Sequence, residues 1–311
     1  MKIAIVGCGA MGSIYAVLLS ASGNDVTAIG RSERRAARVR QEGLRVSGAS
    51  GDRTVDLRML AQMPDEAFDL IVVAVKATQI ASVAEGIVPL LHDHSVVLAL
   101  QNGVGSADLL ARHVPAGRLA VGIAGGFGAE LVSPVHARHN GMQVIRFGPY
   151  SDLPIARLEQ IADIWNAAGL KTEVVADITA MQWEKLICNV AYSAISALTG
   201  KTVGEIMDDP DLAATSREAA LEAWTVARAH GVAMKVDDPV ALIRAFGGRM
   251  PDARPSLLQD LEAGRPTEID VINGAVPTFA QRAGTTAPVN ATLVALVKAR
   301  ERTMISKKAT S

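Results

Sequence analysis

Residues 7–12 read Gly-Cys-Gly-Ala-Met-Gly, directly after the apolar run Ile3–Val6 and directly before a helical pattern. A strand, a glycine turn and a helix in that order gather backbone N–H groups and the positive end of a helix around a phosphate. Gly7 permits the tight turn, Gly9 admits close approach of a pyrophosphate, and Gly12 lets the helix pack on the strand. Cys8, Ala10 and Met11 complete the turn, with Cys8 a small packing residue rather than a nucleophile. The ligand this implies is a dinucleotide. A second set of polar residues lies far along the chain. Lys185, Asn189 and Ser193 recur every four positions in Trp183–Ser193, on one face of a helix whose other faces carry Leu186, Ile187 and Val190. Such a ladder suits a cleft wall that binds a carboxylate and hydroxyls; a solvated stripe is the alternative. Ser256 and Glu268 flank the break Gly264-Arg265-Pro266, where ordinary helix capping would also account for them.

The first half must position the glycine turn. Apolar, β-rich runs recur at Lys2–Val6, Asp25–Ile29, Leu44–Val46, Leu70–Val75 and Val96–Leu100. Helical stretches fall between several of them, at Met11–Ser22, Glu33–Glu42, Ile80–Leu91 and Ala107–His113. This alternation predicts an α/β fold with a doubly wound parallel sheet. Ligands on such sheets sit beyond the carboxyl ends of the strands. The loops after Val6, Ile29, Val75 and Leu100 are therefore candidate site loops.

The loop after Ile29 speaks to cofactor choice. NAD-binding proteins place an acid there for the ribose 2′-hydroxyl, whereas this chain has Gly30-Arg31-Ser32. A guanidinium can bind a 2′-phosphate bidentately, so Arg31 points to NADP(H). Arg34, Arg35 and Arg38 follow, and a solvated basic helix face explains them equally well. Lys76, straight after its strand, is expected near the nicotinamide end. Asn102 lies in a Gln-Asn-Gly turn, which turn formation alone would explain.

Beyond Ala176 strand signals vanish and helical patterns dominate: Ile178–Leu198, Asp211–His230, Pro239–Phe246, Ile269–Ala283 and Asn290–Thr303. Gln143–Phe147 and Thr172–Val175 are the last expected strands, around a helix at Ile155–Ala168. The predicted organisation is a dinucleotide-binding domain over 1–176 and an all-helical substrate domain over 177–311, with a frayed tail at Lys307–Ser311.

The 311 residues are 49% hydrophobic and 20% charged, as in a globular protein with a sizeable core. A net charge of −1 and 4% aromatics argue against nucleic acid as a partner. No apolar run is long enough to span a membrane. With only Cys8 and Cys188 a disulfide framework is excluded, and a cytoplasmic setting is expected. The pairs His92/His94 and His136/His139 read as surface loop residues, and no metal is expected.

Together these stretches resemble the ketopantoate reductase (2-dehydropantoate 2-reductase) family, with its 6-phosphogluconate-dehydrogenase-like helical C-terminal domain. The carriers are Gly7–Gly12, Val75-Lys76, Gln101-Asn102-Gly103-Val104-Gly105, Trp183-Glu184-Lys185-Leu186-x-x-Asn189, Ser196–Gly200, Ser256–Asp260 and Thr267-Glu268-Ile269-Asp270-x-x-Asn273-Gly274. The resemblance implies that Lys185 is a general acid and that Glu268 supports substrate and cofactor ribose. It implies substrate contacts from Asn102, Asn189 and Ser256, with Ser193 in the same row. Cofactor contacts are implied for Gly7 to Gly12, Arg31, Lys76, Asn102, Ala129 and Glu268. The implied reaction is NADPH-dependent reduction of ketopantoate. A different branched or aromatic 2-oxo acid, or an NADP(H) sensor without turnover, are the alternatives. Two positions depart from the family pattern: Ser193 stands where a further Asn is common, and Val203 falls where a later Asn contact is seen. Long C-terminal helices could support a homodimer.

Overall fold

The computed structural model describes the backbone of residues 1–141 and 143–309 and the side chains of residues 1–141 and 143–304. The tail expected to fray, Lys307–Ser311, lies outside the residues described in full. By compactness the chain divides into two units, residues 1–101 with 106–178, and residues 102–105 with 179–311. The tetrapeptide Asn102–Gly105 thus goes with the helical unit, not with residues 1–176 as expected.

The strands of the first unit are β1 (Lys2–Val6), β2 (Asp25–Ile29), β3 (Leu44–Gly48), β4 (Arg53–Val55), β5 (Arg58–Leu60), β6 (Phe68–Val73), β7 (Leu91–Ala99), β8 (Leu119–Gly125), β9 (Gly128–Ser133), β10 (His136–Gly141), β11 (Val144–Pro149) and β12 (Thr172–Val174). Its helices are α1 (Ala10–Ala21), α2 (Glu33–Glu42), α3 (Ile80–Ile87), α4 (Ser106–Leu110) and α5 (Ile155–Ala167). The main sheet has eight strands in the order β12-β11-β8-β7-β6-β1-β2-β5. β6 carries Leu70, Ile71, Val72 and Val73 with no exposed surface, as a strand covered on both faces should. The register sets Val6 opposite both Ile29 and Val73, and Val73 opposite Ala99. The loops after β1, β2, β6 and β7 therefore leave from one edge of the sheet.

Three expectations change here. The sheet is parallel from β5 to β8, but β11 runs antiparallel to β8, and β12 follows β11. No helix crosses over between β8 and β11; the chain makes the β9–β10 hairpin instead and returns in the opposite direction. Leu44–Val46 is a strand, but of a separate four-stranded sheet, β4-β3-β10-β9. This small sheet packs on α1. With cover on both sides, α1 is buried from Gly12 to Leu19, which fits its apolar sequence. Neither histidine pair is in a loop: His92 and His94 lie on β7, and His136 and His139 on β10. His139 is buried and stacks on Phe127 at 4.7 Å.

The second unit is built on α6 (Ile178–Thr199), with α7 (Val203–Asp208), α8 (Pro210–Ala229), α9 (Pro239–Gly248), α10 (Ser256–Glu262), α11 (Ala275–Arg282) and α12 (Pro288–Ala309). α7 opens on a capping box between Thr202 and Glu205. The helix expected from Ile269 begins only at Ala275. Residues 268–274 form successive turns closed by Val271 and Ile272 N–H to the Glu268 carbonyl and Gly274 N–H to Ile269. Fully buried Asn273 anchors these turns. Its amide donates to the Val190 carbonyl on α6 at 3.1 Å and to Asn290 Oδ1 at 2.9 Å.

Candidate active site

In the first unit the three glycines have separate physical reasons. Gly7 has φ +100°, and a Cβ there would lie 2.4 Å from the Val75 nitrogen. A Cβ at Gly12 would lie 2.2 Å from the Gly7 carbonyl oxygen, so the helix passes directly over the turn. At Gly9 a Cβ would meet nothing within 4 Å. That side is open, as approach of a ligand requires. Gly9 stands at the N-cap of α1 and has no side chain to cap it, so the turn itself offers no competitor to a pyrophosphate at the helix N-terminus. The turn fits a dinucleotide.

Arg31 is exposed beyond β2, and the Gln79 side-chain oxygen accepts from both its guanidinium nitrogens at 2.9 Å. Arg38 is engaged by Glu42 at 2.7 and 2.9 Å, while Arg34 is exposed. Lys76 follows β6 at the turn into a short 3₁₀ segment. Gln101 closes the same edge by donating from its amide nitrogen to the Val73 and Val75 carbonyls at 2.5 and 3.2 Å. Ala129 sits on β9, paired with His139.

In the second unit, three residues distant in sequence meet. The Lys185 ammonium donates to Asn102 Oδ1 at 3.2 Å, and Asn102 Nδ2 donates to Glu268 Oε2 at 3.3 Å. The carboxamide thus stands between a cation and an anion, with its oxygen toward one and its nitrogen toward the other. Gly103 makes the approach possible. It has φ +81°, and a Cβ there would lie 1.9 Å from the Val271 carbonyl oxygen, within the turns that carry Glu268. Burial strips water from the Lys185 ammonium and lowers its pKa to about 8, although the negative charge of Glu268 opposes the shift. An ammonium poised near neutral pH and held on the Asn102 oxygen can donate a proton to a developing oxyanion.

Asn189 and Ser193 continue the Lys185 face of α6, Asn189 half-buried and Ser193 buried. The stripe is therefore not a solvated one. Ser256 is exposed at the first position of α10, which has no side-chain cap. Glu268 caps no helix either, since its carboxylate engages Asn102.

Residues 3–152 match the model described as ketopantoate reductase PanE/ApbA, and residues 177–301 match the model of its C-terminal domain. The chain belongs to the ketopantoate reductase family. It is 33% identical over 304 residues to the 2-dehydropantoate 2-reductase of Halobacterium salinarum, covering 97% of this chain and 99% of that one. It is 31% identical over 300 residues to that of Archaeoglobus fulgidus, covering 96% and 98%. A ketopantoate reductase of Ralstonia eutropha superposes with a TM-score of 0.88 at 33% identity, over 98% and 99% of the two chains. D-mandelate dehydrogenase bound to NADH and anilino(oxo)acetate superposes at 0.89 with 25% identity, over 98% and 99%. As a ketopantoate reductase family member the chain is an oxidoreductase acting on a CH–OH group. Nicotinamide is the family's cofactor, and a small molecule its substrate. Among the described residues no helix is long and apolar enough to cross a membrane.

Two features of the fold escape a reading of the sequence. Arg35 carries its guanidinium back to the glycine turn, donating to the Cys8 carbonyl, to Ser13 Oγ at 2.9 Å and to the Pro134 carbonyl at 2.6 Å. The run Arg34, Arg35, Arg38 gives no sign of which arginine turns inward; only the short residues Gly9 and Ser13, which leave room, hint at it. Asn273 ties the Glu268 turns to α6. In the sequence Asn273 stands only as part of the Thr267–Gly274 stretch, with no sign that it is buried and bonded to Val190 and Asn290. Val203, which departs from the family pattern, is buried at the start of α7.

Proposed function

We propose that this chain reduces 2-dehydropantoate to pantoate with NADPH. The observation that carries the reading is Lys185, an ammonium with its pKa lowered to about 8 and held on Asn102, in a member of this family. When bound, the nicotinamide supplies a hydride to the 2-oxo carbon. Lys185 gives its proton to the carbonyl oxygen as negative charge builds there, which completes the hydroxyl. Desolvation favours the neutral amine left behind. Glu268, through Asn102, holds the ammonium in place before the transfer. Asn189 and Ser193 present a carboxamide and a hydroxyl along the same helix face for the substrate's polar groups, and Ser256 offers a further hydroxyl.

On the cofactor side, the glycine turn holds the pyrophosphate. Arg31, where an acid would favour NAD, takes the 2′-phosphate, and Lys76 and Ala129 line the same cofactor. A second reading keeps this chemistry and changes the acid to another 2-oxo acid, branched or aromatic. The likeness to D-mandelate dehydrogenase and the short side chain of Ser193 favour it. Purified protein, NADPH and a panel of 2-oxo acids separate the two readings by which acid is consumed fastest. Cofactor binding without turnover on any acid would identify a sensor and sink both.

A further inference from the structure

We propose that Arg35 is a positioning residue for the phosphate-binding turn and sets its affinity for nicotinamide dinucleotides irrespective of the 2′-phosphate. The proposal rests on the reading that this turn holds the cofactor pyrophosphate.

Arg35 is the third residue of α2, on the neighbouring strand's crossover helix, yet its guanidinium reaches three other segments. It donates to the Cys8 carbonyl in the turn, to Ser13 Oγ in the first turns of α1 and to the Pro134 carbonyl between β9 and β10. Ser13 Oγ in turn donates to the Gly9 carbonyl at 2.6 Å, as does the Ser13 N–H at 3.0 Å. The Cys8 carbonyl is thus held from α2 directly, and the Gly9 carbonyl from α1 through Ser13, whose hydroxyl the guanidinium holds in turn. In a trans peptide the carbonyl and the following N–H point in opposite directions. Fixing Cys8 and Gly9 carbonyls fixes the N–H groups of Gly9 and Ala10 the other way. Gly9 N–H closes the turn onto the Gly7 carbonyl at 2.9 Å. Ala10 N–H belongs to the uncapped first turn of α1, where an anion is received.

Without the guanidinium the Cys8 carbonyl would lose its charged donor. It would be free to swing toward the ligand side, where an oxygen repels phosphate. A glycine turn has little stiffness of its own, because Gly7 and Gly9 carry no side chains to restrict them. Pro134 completes the argument. It sits in the hairpin whose strand β9 carries Ala129, so one guanidinium links the pyrophosphate turn to a strand expected to touch the cofactor. With its donors directed at these oxygens, Arg35 is not disposed as a ligand for the ribose phosphate, in contrast to Arg31.

The test is a comparison of R35A, R35K and wild type for binding NADPH and NADH, followed by quenching of protein fluorescence or by calorimetry. Removing hydrogen bonds made by a charged donor should raise Kd by about tenfold or more. The same factor is expected for both cofactors, so the NADPH-to-NADH ratio stays within about twofold of wild type. In turnover the loss falls on the cofactor KM rather than on kcat. R35K, with one ammonium for three acceptors, should recover part of the affinity and serves if R35A does not fold. Loss confined to NADPH would overturn the proposal and make Arg35 a 2′-phosphate ligand. Unchanged affinity for both cofactors in either variant would overturn it as well. Failure of the wild type to bind either cofactor would instead remove the cofactor reading on which it stands.

Discussion

Asn102 bridges Lys185 and Glu268, accepting from the ammonium at 3.2 Å and donating to the carboxylate at 3.3 Å. Burial lowers the Lys185 pKa to about 8 while the Glu268 charge opposes the shift, which leaves a proton donor able to work near neutral pH.

Replacing the proton donor is the first consequence. Lys185→Ala should lower kcat by about a hundredfold or more, the usual worth of a positioned general acid. NADPH affinity should change little, because the glycine turn and Arg31 are intact. Steady-state turnover with a separate binding titration checks both halves.

The pH profile follows from the lowered pKa. Lys185 carries its proton below about pH 8 and loses it above, so kcat for reduction should fall as pH rises through about 8. The charge of Glu268 holds that pKa up, so Glu268→Gln should move the falling limb to lower pH. Asn102→Asp, which sets a carboxylate directly on the ammonium, should move it to higher pH by about one unit or more. Rate profiles of the three proteins at saturating substrate give the comparison.

The same shift bears on stability. An unfolded Lys185 titrates near its ordinary value of 10.5, the folded one near 8, so between these the unfolded chain binds more protons. The Lys185 contribution to stability therefore rises with pH across that window. Denaturant midpoints of wild type and Lys185→Met between pH 7 and pH 10 should converge as pH rises, with the methionine variant the more stable at pH 7.

Cofactor choice rests on Arg31. Arg31→Ala should weaken NADPH by about tenfold to a hundredfold, as loss of a charge-assisted contact would, and leave NADH nearly unchanged. Equal losses for both would place Arg31 away from the 2′-phosphate.

Gly103→Ala tests how Asn102 is placed. The new methyl would fall 1.9 Å from the Val271 carbonyl oxygen at a residue with φ +81°, so both space and backbone oppose it. A cost of about 1–3 kcal/mol in stability is expected, together with lost turnover as Asn102 moves from Lys185. Thermal unfolding and kcat measured on the same preparation show whether the two effects travel together.

The parts legible in the sequence are those with local signatures. The glycine turn, the alternation of strands and helices through Val75, and the Lys185–Asn189–Ser193 face all rest on spacing within one element. What stayed hidden depends on long-range partners. His136–Gly141 has no apolar alternation and declares itself a strand only when β3 and β9 pair with it. The reversal of β11 follows from a hairpin rather than a helix preceding it. Residues 269–274 have helical composition, yet buried Asn273 holds them in turns by bonds to Val190 and Asn290. Ser256 and Glu268 look like caps in sequence, and only the fold shows that neither is one. Arg35 is one of a basic run in sequence, and only the fold turns it inward.

Reduction of ketopantoate with NADPH is open to direct measurement. Initial rates of NADPH oxidation, followed at the nicotinamide absorbance with ketopantoate beside other branched and aromatic 2-oxo acids, test it most directly. Ketopantoate should give the highest kcat/KM, with near-complete loss of that rate in Lys185→Ala. Turnover confined to other 2-oxo acids, or a Lys185→Ala rate equal to wild type, would contradict it.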